Sequence, residues 1–204
     1  PIKNALSILS SGRCGDLSEN ASKFVDMAKR NVLNLTNIIN DILDINKIEA
    51  GKMIFNYKTM NIHSVIDNVK NNFECVAKEH EIIFETLEQA NLPDIYADSQ
   101  RLEQVLTNLV SNAIKFTPEN GTIDVSSTKI KAEDIKNNEF FTNLPKELSK
   151  EYIKIAVKDN GIGIAKENWN KVFEQFKQIE NSLSRKVGGS GLGLPIAKRL
   201  MDAH

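Results

Sequence analysis

The sequence predicts an α+β chain in two parts, a helical hairpin followed by a mixed domain of short strands and helices. Three observations carry that prediction. Between Ser18 and Glu49 an apolar stripe recurs at heptad spacing. At Ala50 to Lys52 the repeat stops and short alternating segments take over. Further on, a helix signal from Asp98 to Pro118 carries a polar row beside its apolar face, and two glycine-rich turns follow it.

Taken in order, Pro1 to Ser11 reads as a short helix with Ile2, Ala5, Leu6 and Leu9 on one side, and Gly12 and Gly15 mark the loop after it. Ser18 then caps a long helix that Gly51 stops. Val25, Val32 and Ile39 alternate with Ala28, Leu35 and Ile42, and Phe24, Ile38 and Ile45 widen the stripe beyond a two-stranded seam. A hairpin paired with a second copy, giving a four-helix bundle on a two-fold axis, would bury it; packing on the C-terminal part of the same chain is the alternative.

Beyond the boundary, Lys52 to Lys58 suggests a strand, and Asn61 caps a helix that groups Ile62, Val65, Ile66, Val69, Phe73 and Val76. Cys75 falls on that helix and is expected in the core. Glu81 to Glu85 and Leu92 to Tyr96 read as strands before the Asp98 helix. Thr122 to Thr128 and Tyr152 to Lys158 alternate as adjoining sheet strands. The charged, Asn-rich span 131–150 fits neither period and reads as a hairpin tip or surface insertion, with Phe140 and Phe141 tucked on the sheet or forming a docking patch.

Composition narrows the function classes. With 204 residues, 41% of them hydrophobic, the chain can bury one good core or two modest ones. A net charge of −1, from 26 basic and 27 acidic residues without a long basic run, gives no field for nucleic acid. The two cysteines, Cys14 and Cys75, lack a paired spacing, which suits a reducing compartment and offers no metal motif. No apolar run approaches the ~20 residues of a membrane span. Beginning at Pro1 without Met, the chain reads as a fragment.

The chemistry sits in three places. In the Asp98 helix, Leu102, Val105, Leu106, Leu109 and Ala113 form the burying face, while Asn108, Asn112 and Lys115, four and three residues apart, stack two carboxamides and an ammonium on another side. Amide oxygens are hard ligands suited to Mg²⁺, and a lysine head suits phosphate, so the row can hold a metal-nucleotide; a solvated polar face is the plain alternative. After the strand ending at Lys158 come Asp159, Asn160, Gly161, Ile162, Gly163 and Ile164, a turn that allows close backbone approach beside a carboxylate. Later, Gly188, Gly189, Ser190, Gly191, Leu192, Gly193 and Leu194 lead into an apolar helix, which aims free N–H groups at an anion. That loop lacks the Lys-Ser or Lys-Thr of a P-loop and opens no dinucleotide-binding unit.

Four motifs in this order, Asn108 to Lys115, Asp159 to Gly163, Phe173 with Phe176, and Gly188 to Gly193, resemble the N box, first glycine box, F box and second glycine box of sensor histidine kinases. Upstream, Asn40, Asp41, Ile42, Leu43 and Asp44, then Ile48, Glu49, Ala50, Gly51 and Lys52, resemble the end of that family's dimerisation helix. The resemblance implies a dimerisation and phosphotransfer hairpin over 1–50. It implies, over 51–204, an α/β sandwich ATPase domain of the histidine kinase, gyrase and Hsp90 type, with an insertion at about 131–150, the whole truncated at both ends.

The same resemblance assigns roles. Asn112 is implied as the Mg²⁺ ligand, Asn108 as its neighbour at the phosphates and Lys115 as a phosphate contact of bound ATP. Asp159 would accept from the adenine amino group, with Gly161 and Gly163 letting the backbone reach the base. Phe176 belongs to the F box. Gly189, Ser190, Gly191, Leu192 and Gly193 would form the hinge and phosphate-facing turn of a lid spanning Lys177 to Val187, in which Arg185 is a phosphate partner. Related ATPases carry a Glu base where Asn108 stands; without one the γ-phosphate is kept for a protein acceptor.

In the family it resembles, the phosphorylated His sits five residues before a Pro that matches Pro1, so the implied acceptor would precede this chain, and further strands would follow His204; His63, His80 and His204 are expected on the surface. The expected activity is transfer of the γ-phosphoryl of ATP to a histidine, for relay to a response-regulator aspartate. Expected partners are a second copy and a receiver domain, with no nucleic acid; the expected setting is cytoplasmic, with a membrane reached only through segments outside this chain. Two rivals are a non-catalytic nucleotide-binding dimerising module and a mechanical ATPase.

Overall fold

A computed structural model describes residues 1–136, 151–179 and 189–204. The chain divides into two compact units, Pro1–Lys52 and Met53–His204.

The first unit is two packed helices, α1 (Ile2–Ser10) and α2 (Glu19–Glu49). The Ala21 amide donates to Ser18 Oγ at 3.3 Å, which caps α2 as the sequence predicts. Gly51, at φ 63°, lets the chain reverse so that the Lys52 amide donates to the Lys47 carbonyl at 2.8 Å. Among the α2 side chains only Ile45 is buried, and Phe24 is 69% exposed and Leu35 57%.

The second unit is an α/β sandwich. Strand β1 (Lys58–Met60) pairs antiparallel with β3 (Ile95–Ala97). A separate sheet runs in the order β2 (Ile83–Glu88), β4 (Thr122–Lys131), β5 (Glu151–Asp159), with β2 parallel and β5 antiparallel to β4. Parallel pairing of β2 and β4 requires a crossover, and helix α4 (Ser99–Phe116) lies within it. Alternation in β4 sends Ile123 and Val125 inward, where they meet Ile62, Val65, Ile66 and Val69 of α3 (Ile62–Glu79) and Leu102, Leu106 and Val110 of α4. The last helix, α6 (Gly193–Ala203), packs along α4 and buries Ile196 and Leu200.

Several expectations need correction. The run from Lys52 to Lys58 is not a strand: pairing begins only at Lys58, and Phe55 and Tyr57 instead stack their rings 5.6 Å apart. Cys75 is exposed, because it stands two positions past Phe73 on the outer side of α3. Ala77 rather than Val76 completes that helix's buried face, since the return turn, in which the Ile82 amide donates to the Ala77 carbonyl at 2.9 Å, closes over it.

His204 is half-buried rather than on the surface, set edge-on to Tyr57 at 5.0 Å, and its Nε2 accepts from the Asp98 amide at 3.3 Å. Burial pushes its pKa down while the Asp98 carboxylate opposes that shift. His63 is also half-buried, with Nε2 3.3 Å from Glu88 Oε2, whereas His80 is exposed as expected. Within 131–150, Ala132–Lys136 forms a short helix, α5, next to the paired ends Lys131 and Glu151; Phe140, Phe141 and Pro145 lie outside the described residues.

Candidate functional site

Helix α4 is the platform, and its start is held by a carboxylate. Asp98 is 4% exposed; its Oδ1 accepts from the Gln100 and Arg101 amides at 3.0 and 3.2 Å, and its Oδ2 from the Asn56 amide at 2.7 Å. Burial alone would raise its pKa, but the three backbone donors and the Arg101 charge outweigh it and hold the carboxyl below the ordinary aspartate range. At the other end Thr117 is extended (φ −87°, ψ 129°), as a residue before proline must be, and the helix stops at Phe116.

Along this platform Asn108, Asn112 and Lys115 are half-buried, beside a face that buries Leu102, Val105, Leu106, Val110, Ala113 and Ile114. Leu109, expected on that face, is only half-buried. Asn108 Nδ2 is buried without a hydrogen-bond partner among the described residues. A buried amide in that state is costly until something accepts from it. Lys115 Nζ sits 4.8 Å over the Phe116 ring, and burial lowers its pKa.

The second glycine turn stands against this row. A Cβ on Gly189 would lie 2.6 Å from Lys115 Nζ, and one on Gly193 would lie 3.7 Å from Asn108 Oδ1. The turn before α6 therefore lies against the Lys115 ammonium at Gly189, and the first residue of α6, Gly193, lies beside the Asn108 side chain. The turn is pinned from the F box: the Phe176 amide donates to the Gly191 carbonyl at 3.1 Å, and Gln178 Nε2 donates to the Gly189 carbonyl at 2.6 Å. Gly191 needs to be glycine twice over, at φ +69° with Phe176 backbone 3.1 Å from where its Cβ would stand. Ser190 Oγ accepts from the Leu192 amide at 3.2 Å, and Leu192 is wholly buried, so both support the turn. The Phe176 ring is 61% exposed, on a residue at φ 59°.

The first glycine turn abuts the C-terminal end of the same helix. Asp159 closes β5, and its Oδ1 accepts from the Gly161 amide at 2.9 Å. A Cβ on Gly161 would come within 2.4 Å of the Phe116 carbonyl oxygen, and the Ile162 amide donates to that carbonyl at 3.3 Å. Gly163 has open space around it and a φ of +67°, a left-handed torsion that favours glycine.

The described residues thus bring Asn108, Asn112 and Lys115 together with Gly189 to Gly193, and set Asp159 to Gly163 at the end of the same helix. Arg185 and the lid beyond Ile179 fall outside the described residues. Sequence reasoning did not single out Asn160, Gly121, Thr117 or Gln178. Gly121 has the surest signature, following Asn120 as a turn signal, but the Asn160 side chain beside it comes from a distant segment.

As for a metal, no group of three or more His, Cys, Asp or Glu able to hold one occurs among the described residues. The half-buried carboxamide of Asn112 suits an Mg²⁺ that takes one protein oxygen and completes its shell with phosphates and water.

Comparison with known proteins follows the same lines. The family model described as histidine kinase-, DNA gyrase B-, and HSP90-like ATPase matches residues 97–204. Hybrid signal transduction histidine kinase D of Dictyostelium discoideum is 34% identical over 91% of this chain, which covers 11% of that protein. Signal transduction histidine-protein kinase BarA of Escherichia coli strain K12 is 33% identical over 92% of this chain and 19% of its own length. The chain thus spans between about a tenth and a fifth of these curated relatives. Among solved structures, full-length ShkA in complex with AMPPNP shares the fold with a TM-score of 0.72 at 23% identity, over 100% of this chain and 38% of ShkA.

Proposed function

Since this chain belongs to the histidine kinase-, DNA gyrase B-, and HSP90-like ATPase family, and its relatives are sensor histidine kinases, we propose that it binds ATP with Mg²⁺ and delivers the γ-phosphoryl to a histidine. One observation carries this: the glycine turn leading into α6 lies against Lys115 Nζ at Gly189 and beside the Asn108 side chain at Gly193, and the Asn108 amide nitrogen is buried without a partner among the described residues. Free N–H groups at a helix start, an ammonium with its pKa lowered by burial and an unsatisfied amide all favour a polyanion.

In this reading Lys115 lies against the phosphates and counters charge that develops during transfer, while Asn108 donates to a phosphate oxygen. Bound Mg²⁺ would neutralise the β- and γ-phosphates, with Asn112 contributing its amide oxygen. Asp159 accepts from the exocyclic amine of the base, and Gly161 allows that carboxylate to sit beside the end of α4. With Asn at position 108, the Glu that serves as base in related ATPases is missing from that position, so transfer to a protein acceptor prevails over hydrolysis. The exposed α2 stripe would pair with a second copy, and a response-regulator receiver domain would take the phosphoryl onward.

The full-length protein labelled with γ-phosphate ATP is expected to yield an acid-labile phosphohistidine, and Asn112→Ala to reduce labelling at least a hundred-fold, about 3 kcal/mol of transition-state stabilisation. Steady phosphate release without protein labelling would refute the reading.

A further inference from the structure

Strand β5 leaves the sheet just where the proposed base-binding carboxylate stands, and the departure is managed by a side chain that has no assigned part. Ile123 opposite Asp159 is the last regular pair of the β4–β5 ladder. At the next position the Asn160 amide still donates to the Thr122 carbonyl, at 3.3 Å. The return bond is different: the Thr122 amide donates to the side-chain Oδ1 of Asn160, at 2.8 Å, in place of a backbone carbonyl. Asn160 therefore fills two ladder places at once and releases its own carbonyl, so the chain can turn at Gly161 toward the Phe116 carbonyl.

The pocket for that amide is built around Gly121. A Cβ there would lie 2.8 Å from Asn160 Oδ1 and 2.3 Å from Thr117 Cγ2. Any larger residue would push the amide out of the ladder. Meanwhile Asp159 spends Oδ1 on the Gly161 amide, which leaves Oδ2 for a ligand.

We infer that Asn160 is a positioning residue for base selection: by standing in for a backbone carbonyl opposite Thr122 it fixes where Asp159 presents its remaining carboxylate oxygen. The inference rests on the reading of Asp159 as the base acceptor. A lone fixed acceptor complements the amino group at C6 of adenine and opposes the carbonyl at C6 of guanine. A carboxylate that wanders loses that distinction while phosphate contacts on α4 persist. Asn160 acts through Asp159, so ATP preference moves and phosphate affinity does not.

The test is titration calorimetry of the whole chain with Mg·ATP and Mg·GTP, joined to hydrogen exchange at the Thr122 amide. The wild-type chain is expected to prefer ATP and to protect Thr122. Asn160→Ala is expected to expose that amide and to cut the ATP-over-GTP ratio about two- to ten-fold, the span of one net hydrogen bond. Asn160→Asp, which keeps an acceptor oxygen at the same reach, is expected to retain both the ratio and the protection. Should Asn160→Ala fail to fold, Asn160→Gln, with its oxygen moved by one methylene, carries the same expectation. An unchanged ratio despite fast Thr122 exchange overturns the inference, as does an unprotected Thr122 in the wild-type chain. Failure of the wild-type chain to bind ATP at all refutes the proposed function instead, and Thr122 protection then reports on the ladder alone.

Discussion

Asp98 shows how much one side chain can organise. Its carboxylate satisfies two orphan amides at the start of α4 and a third on the segment that precedes β1, so helix and linker are fixed by one group. Removal in Asp98→Ala should cost about 1–2 kcal/mol, read as a lower denaturation midpoint at pH 7. The pH dependence has a definite sign. Because the folded pKa is depressed, this stabilisation is fully present above the ordinary aspartate value of about 4 and is lost as pH falls through the lower folded value. The gap between wild type and Asp98→Ala should therefore narrow in acid titrations below about pH 4. Lys115 is the opposite case: burial works against its charge and lowers its pKa.

At the scale of elements, the first glycine turn uses its two glycines for different physical reasons, and the difference can be measured. Gly161 sits where any Cβ would strike the Phe116 backbone carbonyl, which accepts from the Ile162 amide, whereas Gly163 has room but a left-handed torsion. Gly161→Ala should cost about 1–3 kcal/mol of stability and displace Asp159, with ATP affinity falling more than ten-fold. Gly163→Ala should cost about 1–2 kcal/mol from torsion alone and leave affinity within a few-fold. Thermal unfolding and nucleotide titration of the two variants separate the cases; equal losses of affinity would contradict the division of labour. Phe176 of the F box and Gln178 just after it add a further constraint, since they hold the carbonyls of Gly191 and Gly189 in the turn before α6.

For the whole molecule, the open question is what covers α2. A stripe with Phe24, Met27, Leu35, Ile39 and Leu43 all exposed is more apolar surface than one helix normally leaves to water. No described helix is long and apolar enough to cross a membrane. On the proposed pairing with a second copy, Leu35→Lys should shift sedimentation toward monomer by at least ten-fold in dissociation constant while leaving the 53–204 unit folded. A monomeric wild-type chain at micromolar concentration would count against it.

Much of this protein is legible from short-range pattern. Ser18, Asn61 and Asp98 each cap the helix they precede, because capping is a bond between residues two or three apart. The order of motifs identified the family for the same reason, each box being local. Where sequence reading failed, the deciding contacts were distant. Cys75 and Val76 depend on which side of α3 meets the core, the span before Lys58 lacks a partner strand, and His204 is covered by Tyr57 and held at Asp98. Spacing placed Asn108, Asn112 and Lys115 in a row. Only the tertiary structure set Gly189 and Gly193 against that row and made Asn160 complete a ladder begun at Thr122, since both depend on segments that meet only after the chain has folded.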